Sequence, residues 1–189
     1  MRKNLPTLVL VSASLVALPP VSLAGQSEHS GHHPPEGSTQ IVHTPPSIAE
    51  EHRKLHETLS RAAAERGEVG RAAQELERAL GPHFQREEEI ATPPLGLLPS
   101  LASGPATADM RVVLSMTQAL ERELPQMMRE HDVIRGAVRE FRAAADRAGL
   151  GEYVRFSDDL AAHARQEEEI LYPAAILVGR YIEQTAPQR

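Results

Sequence analysis

The sequence predicts an all-α protein, an antiparallel up-down four-helix bundle built from two repeated helical hairpins. Three observations predict it. The 189 residues are rich in Ala, Leu, Glu and Arg, which favour helix, and only 3% are aromatic. No segment alternates apolar and polar residues as a half-buried strand does. Four long stretches instead repeat apolar residues at steps of three and four, with short links between them. The length suits one domain. Formal net charge is −6 with Lys and Arg scattered, which argues against a nucleic-acid surface. The absence of cysteine excludes disulfides, thiolate metal sites and a cysteine nucleophile.

Residues 1–24 read as an export signal. Arg2 and Lys3 precede an apolar run, and Ser22 and Ala24 are small residues where a signal peptidase inspects the chain. The run is short and broken by Pro19 and Pro20, which favours cleavage over a membrane anchor. The mature protein is then expected to be periplasmic or secreted, with no membrane span. Residues 25–46 are polar and rich in Pro, Gly, Ser and His, a composition that buries too little apolar surface to fold, and are expected to form a disordered tether. His29, His32, His33 and His43 in this stretch are either weak ligands for copper, zinc or nickel or part of a solvated linker.

The bundle is expected over residues 47–184. A first helix starts at Ser47, with Glu50 completing a capping box, and runs to about Arg66, where Gly67 stops it. A second runs from about Glu68 to Ile90. A Pro- and Gly-rich loop follows over 92–105. A third helical region covers 107–147, with an interruption near Pro125. The last runs from Glu152 to Tyr172, with Pro173 kinking or stopping it and a short continuation beyond.

At about 100° per residue, the inward face of each helix can be read off. The stripes are Ile48, His52, Leu55, Leu59 on the first helix, and Leu76, Leu80, His83, Glu87, Ile90 on the second. They are Met127, His131, Ile134, Val138 on the third, and Phe156, Leu160, His163, Glu167, Ile170 on the fourth. Each helix thus turns one histidine inward, and two add a glutamate one turn later. Glu88, Glu89, Glu168 and Glu169 face away and read as solvated surface. Burying Glu87 and Glu167 ionised is costly without a partner, and the one basic residue near the facing stripes is Arg135. A bound cation is the simplest compensation.

The pattern also repeats. His52 precedes His83 by 31 residues and His131 precedes His163 by 32, so the halves are offset by 79 or 80. Four imidazoles and two carboxylates are too many for one tetrahedral zinc and suit two metals bridged by Glu87 and Glu167. The symmetric assignment gives His52 and His83 to one ion and His131 and His163 to the other, with a position left open for a small ligand. Ligation rich in imidazole favours iron, with zinc and manganese as alternatives.

The ordered set EEHRKL, HFQREEE, REHDVI and HARQEEEILYP, which carries His52, His83, Glu87, His131, His163 and Glu167, resembles the hemerythrin-like family of HHE cation-binding domains over about residues 47–178. The resemblance implies an up-down four-helix bundle with a centre of two non-haem iron ions. It implies binding or reduction of a small oxidant such as O2, NO or peroxide, or alternatively a non-catalytic role in metal binding and iron handling. Oxygen-carrying members resemble a version with a fifth histidine where this chain has Arg135. The set of four His and two Glu is more similar to members linked to nitrosative stress and iron sensing.

Overall fold

The computed structural model of the chain describes residues 42–188. The expected export signal and the tether up to residue 41 lie outside the described residues. The last residues of that stretch pack on the body: Val42 sits against an apolar cluster and Thr44 Oγ1 bonds Thr92 Oγ1 at 2.7 Å. All regular structure among the described residues is helical.

Helix α1 spans Pro46–Ala63. It starts one residue earlier than expected, because Pro46 at the first position has its φ preset for helix and lacks only an N–H that would be unpaired there anyway. The Pro45 carbonyl accepts the Ile48 and Ala49 N–H groups at 3.0 and 3.1 Å. Ser47 therefore lies inside the first turn and the expected capping box does not form. The link to α2, Gly67–Ile90, turns at Gly67, whose φ of +76° lies in the left-handed region that favours glycine.

The stretch expected to be a loop is helical and partly core. A 3-10 turn at Pro93–Leu97 buries Pro93, Pro94, Leu95 and Leu97, and a short helix α3, Leu98–Ser103, follows. Prolines suit first turns, and the apolar residues between them give those turns something to bury. A second 3-10 turn, Ala108–Val113, leads into α4, Leu114–Arg147. The expected break at Pro125 is absent. Pro125 lies on the exposed side, where the lost hydrogen bond faces water, while Leu120 and Met127 are buried on either side of it and hold both halves in line.

The final stretch consists of α5, Gly151–Gln166, a π turn at Glu167–Leu171, and α6, Tyr172–Thr185. Pro173 does not end the helix but sits in the first turn of α6. Helix α1 packs on α2, α2 on α4, α4 on α5 and α5 back on α1, which closes a helical bundle, while α6 continues along α4. There Gly179 meets Thr117 so closely that a Cβ would lie 2.1 Å from Oγ1.

The buried apolar residues fall into layers. One cluster holds Leu55, Leu59, Leu80, Phe84, Ile134, Phe141 and Leu160. Another holds Ile90, Leu95, Leu120, Met127 and Tyr172, with Ile48 packed against it. Each bundle helix runs from one cluster to the other, and between them each places a histidine: Ile48–His52–Leu55, Leu80–His83–Ile90, Met127–His131–Ile134 and Leu160–His163–Tyr172. The buried imidazoles and carboxylates thus form one slice across an interior whose other buried polar side chains among the described residues are the hydroxyls of Thr92, Thr117, Ser157, Tyr153 and Tyr172.

Candidate metal centre

All six residues picked out from the sequence meet in that slice. His52, His83, Glu87, His131, His163 and Glu167 are each no more than 3% exposed. On α2, Glu87 stands one turn after His83 on the same face, with its Oε1 3.5 Å from His83 Nε2. Glu167 relates to His163 in the same way, at 2.6 Å.

Both glutamates sit where the helix is distorted, and proline explains why. Pro173 has no N–H for the Glu169 carbonyl and its ring clashes with that carbonyl in a regular α-helix. The backbone widens instead, and the Tyr172 N–H bonds the Glu167 carbonyl five residues back. The same long bond occurs before Pro93, where the Thr92 N–H reaches the Glu87 carbonyl at 3.0 Å. The π turn shifts the inward face by one residue. Ile170, expected to point in, is 57% exposed, and Tyr172 takes the inward place at 1%.

The imidazoles present their Nε2 atoms to a shared space. His83 and His131 Nε2 lie 2.7 Å apart. Glu167 spans the slice: Oε2 is 3.4 Å from His131 Nε2, while Oε1 is 3.7 Å from His52 Nε2 and close to His163 Nε2. His52 and His163 meet edge to face with ring centres 5.1 Å apart, and Phe84 stacks on His52 at 4.5 Å. Donor atoms gather into two groups. His83, Glu87, His131 and Glu167 form one, His52, His163 and Glu167 the other, each with donors within 4.8 Å of one another. Glu167 belongs to both. These donor groups join α2 with α4 and α1 with α5, across the hairpins, whereas the symmetric assignment from sequence joins the histidines within each hairpin.

Behind each histidine stands a further carboxylate. Nδ1 of His83 lies 2.9 Å from Glu130, that of His131 2.6 Å from Glu168, that of His163 3.1 Å from Glu51, and that of His52 3.4 Å from Glu88. On His52, His83 and His131 the Nδ1–H is directed at the carboxylate, which fixes the tautomer that leaves the Nε2 lone pair facing inward and makes it more basic, while His163 Nδ1 approaches Glu51 without hydrogen-bond alignment. Glu88 and Glu168, expected to be plain surface, are therefore parts of the centre. Arg135 bonds Glu168 and Asp132, so it faces away from the buried carboxylates and does not neutralise them. These outer carboxylates had a signal in the repeat. Glu51 and Glu130 directly precede a histidine in each half, and Glu88 and Glu168 directly follow the inward glutamate.

Tyr172 is the other residue that helical periodicity missed. Its hydroxyl donates to Glu87 Oε1 and lies 3.4 Å from His83 Nε2 and 3.3 Å from His131 Nε2.

The electrostatics show what the slice lacks. Burial, then the nearby Glu167 charge, pushes the Glu87 carboxyl well above its usual range. Burial also opposes ionisation of Glu167, but the His131, His163 and His52 contacts outweigh it and hold that carboxyl well below. Buried atoms with no hydrogen-bond partner are His52 Nε2, both ring nitrogens of His163, Glu87 Oε2 and Glu167 Oε1, so the short approaches of His163 to Glu167 and to Glu51 are contacts without alignment. Each such group left unsatisfied costs about 1–3 kcal/mol. Four lone-pair-bearing atoms converging on one dry space suit a cation, and nitrogen and oxygen donors of this kind suit iron, zinc or manganese.

The structure thus defines a helical bundle with a buried His/Glu centre able to hold metal. The profile of the Hemerythrin HHE cation binding domain matches residues 46–175, more than half of the 189, and the chain belongs to that family. No curated protein and no solved structure matches the chain at a significant level.

Proposed function

We propose that this chain is an exported protein with two non-haem iron ions that binds or reduces a small oxidant such as O2, NO or peroxide. The observation that carries the reading is the pair of donor groups joined through Glu167. His83, Glu87, His131 and Glu167 would hold one ion, and His52, His163 and Glu167 the other. Iron held there supplies electron transfer to a bound small molecule. The chain's own part is to orient the imidazoles through Glu51, Glu88, Glu130 and Glu168, and to keep bulk water out between two apolar layers.

Access also supports it. A pocket of about 620 Å³ opens between α4 and α6, lined by Leu124, Met128, Tyr172, Pro173, Ile176 and Glu168. Its inner wall, Tyr172, touches the ligand set, and a mostly apolar mouth suits small uncharged molecules.

The antiparallel up-down arrangement and its origin in a repeated hairpin belong to this reading. Along α2 and α4, Arg86 pairs with Glu123 while Glu68 pairs with Arg147, so one number falls as the other rises. Residues 1–24 are proposed as a cleaved leader and the following residues as a tether, on the motif at Ser22–Ala24. Among the described residues no helix is long and apolar enough to cross a membrane.

The test is elemental analysis of untagged protein produced with its native leader, followed by absorption spectra before and after adding O2, NO or peroxide. Two irons per chain with a spectrum that responds are expected. Two irons with an inert spectrum would move the reading to iron handling, and a chain without stoichiometric metal would sink it.

A further inference from the structure

We propose that Tyr172 is itself a metal ligand, its phenol oxygen completing the ion position formed by His83, Glu87, His131 and Glu167. The proposal rests on the metal-centre reading above and adds a fifth protein donor to one of the two positions.

Geometry carries it. Donors bound to one ion at about 2.0–2.2 Å lie roughly 3–3.5 Å from each other. Tyr172 Oη is 3.4 Å from His83 Nε2 and 3.3 Å from His131 Nε2. His83–Glu87 and His131–Glu167 contacts within the same group are 3.5 and 3.4 Å, so the phenol stands among these donors as they stand among themselves. The oxygen also bonds Glu87 Oε1, a third member of the group. The ring is 1% exposed and locked in place by the apolar cluster with Met127 and Leu120, so the oxygen has nowhere else to go. Tyr153 bonds Glu65, 88 residues away in the chain, and Tyr181 is 42% exposed, so Tyr172 alone among the three tyrosines reaches the centre.

The consequence is asymmetry. One ion position has two imidazoles, two carboxylates and a phenol. The other has two imidazoles and Glu167, leaving it the more open of the two. Forming the metal–phenolate bond releases the phenolic proton to solvent, one proton per bond, with no change in oxidation state of either partner. A hard, anionic oxygen donor favours a ferric over a ferrous ion.

The test uses full-length protein loaded with iron and oxidised. Resonance Raman spectra excited in the visible band are expected to show phenolate ring modes. Tyr172→Phe is expected to lose the band and the modes entirely while keeping the iron content of the wild type. A Tyr153→Phe/Tyr181→Phe double variant, which leaves the cluster untouched, is expected to retain both and keeps the assignment testable if Tyr172→Phe does not fold. A fully loaded wild type without phenolate modes, or modes that vanish in the double variant, overturns the proposal while leaving the metal centre standing. A wild type that takes up no iron overturns the metal-centre reading itself.

Discussion

The Nε2 atoms of His83 and His131 lie 2.7 Å apart, while their Nδ1 atoms are held by Glu130 and Glu168. With each Nδ1–H given to a carboxylate, two neutral rings present lone pairs to each other at hydrogen-bond distance. A cation between them relieves that opposition of lone pairs. Metal removal should therefore destabilise the fold. An ion at a hundred times its Kd contributes about 2.7 kcal/mol, which for a chain of this size is a fall of roughly 5–10 °C in Tm on chelation. Calorimetry of loaded and chelated protein measures it, and an unchanged Tm would argue against any cation in the slice.

Glu167 is shared by both donor groups and Glu87 belongs to one. Glu167→Gln should therefore empty both positions, whereas Glu87→Gln should leave an ion at His52 and His163. Metal per chain, by elemental analysis, distinguishes the two. Equal losses in both variants would mean that Glu87 also bridges.

The outer carboxylates should matter nearly as much as the ligands. Glu130→Gln and Glu168→Gln remove the acceptors behind His83 and His131 and should weaken metal affinity about 10–100-fold. Glu88→Gln should do less, since its contact with His52 is longer at 3.4 Å and its side chain is 53% exposed. Glu89→Gln, whose partner Arg86 is at the surface, should do nothing. Competition with a metal chelator ranks the four, and an effect of Glu89 equal to that of Glu168 would make bulk charge, not position, the cause.

The sequence carried the centre better than its surroundings, for a physical reason. The four histidines are legible because each lies on a regular helix, where 100° per residue holds, and Glu87 and Glu167 are legible because each stands one turn after its histidine, where the widening has only begun. Regular periodicity puts Ile170 on the inward stripe and leaves Tyr172 off it, because Ile170 lies in the π turn and Tyr172 just beyond, where one inserted residue rotates the chain. Pro125 was read by its local chemistry, which the packing of Leu120 and Met127 overrides. Glu88 and Glu168 were read as surface because facing away from their own helix axis does not exclude reaching a neighbour's histidine. Which side chains meet across the bundle is a tertiary fact, and it is also what groups His83 with His131 and His52 with His163.

The π turn allows a last prediction, because two causes compete for it. Pro173 forbids a regular helix across Glu169, yet Tyr172, Ala175, Val178 and Ile182 all bury the face that the turn sets. In Pro173→Ala the proline restraint is gone, and reverting to regular α-helix would gain a hydrogen bond of about 1 kcal/mol. The reversion would also rotate α6 by roughly one residue, about 100°, and expose those four side chains. Truncating a single buried aromatic costs about 3–5 kcal/mol, so burial outweighs the bond. Pro173→Ala should therefore keep the turn, shift stability by less than about 1 kcal/mol and hold as much metal as the wild type. Tyr172→Ala should cost roughly 3–5 kcal/mol. Denaturant unfolding and metal content of the two variants check this, and loss of metal in Pro173→Ala would show that the proline, not the packing of α6, holds Glu167 and Tyr172 in register.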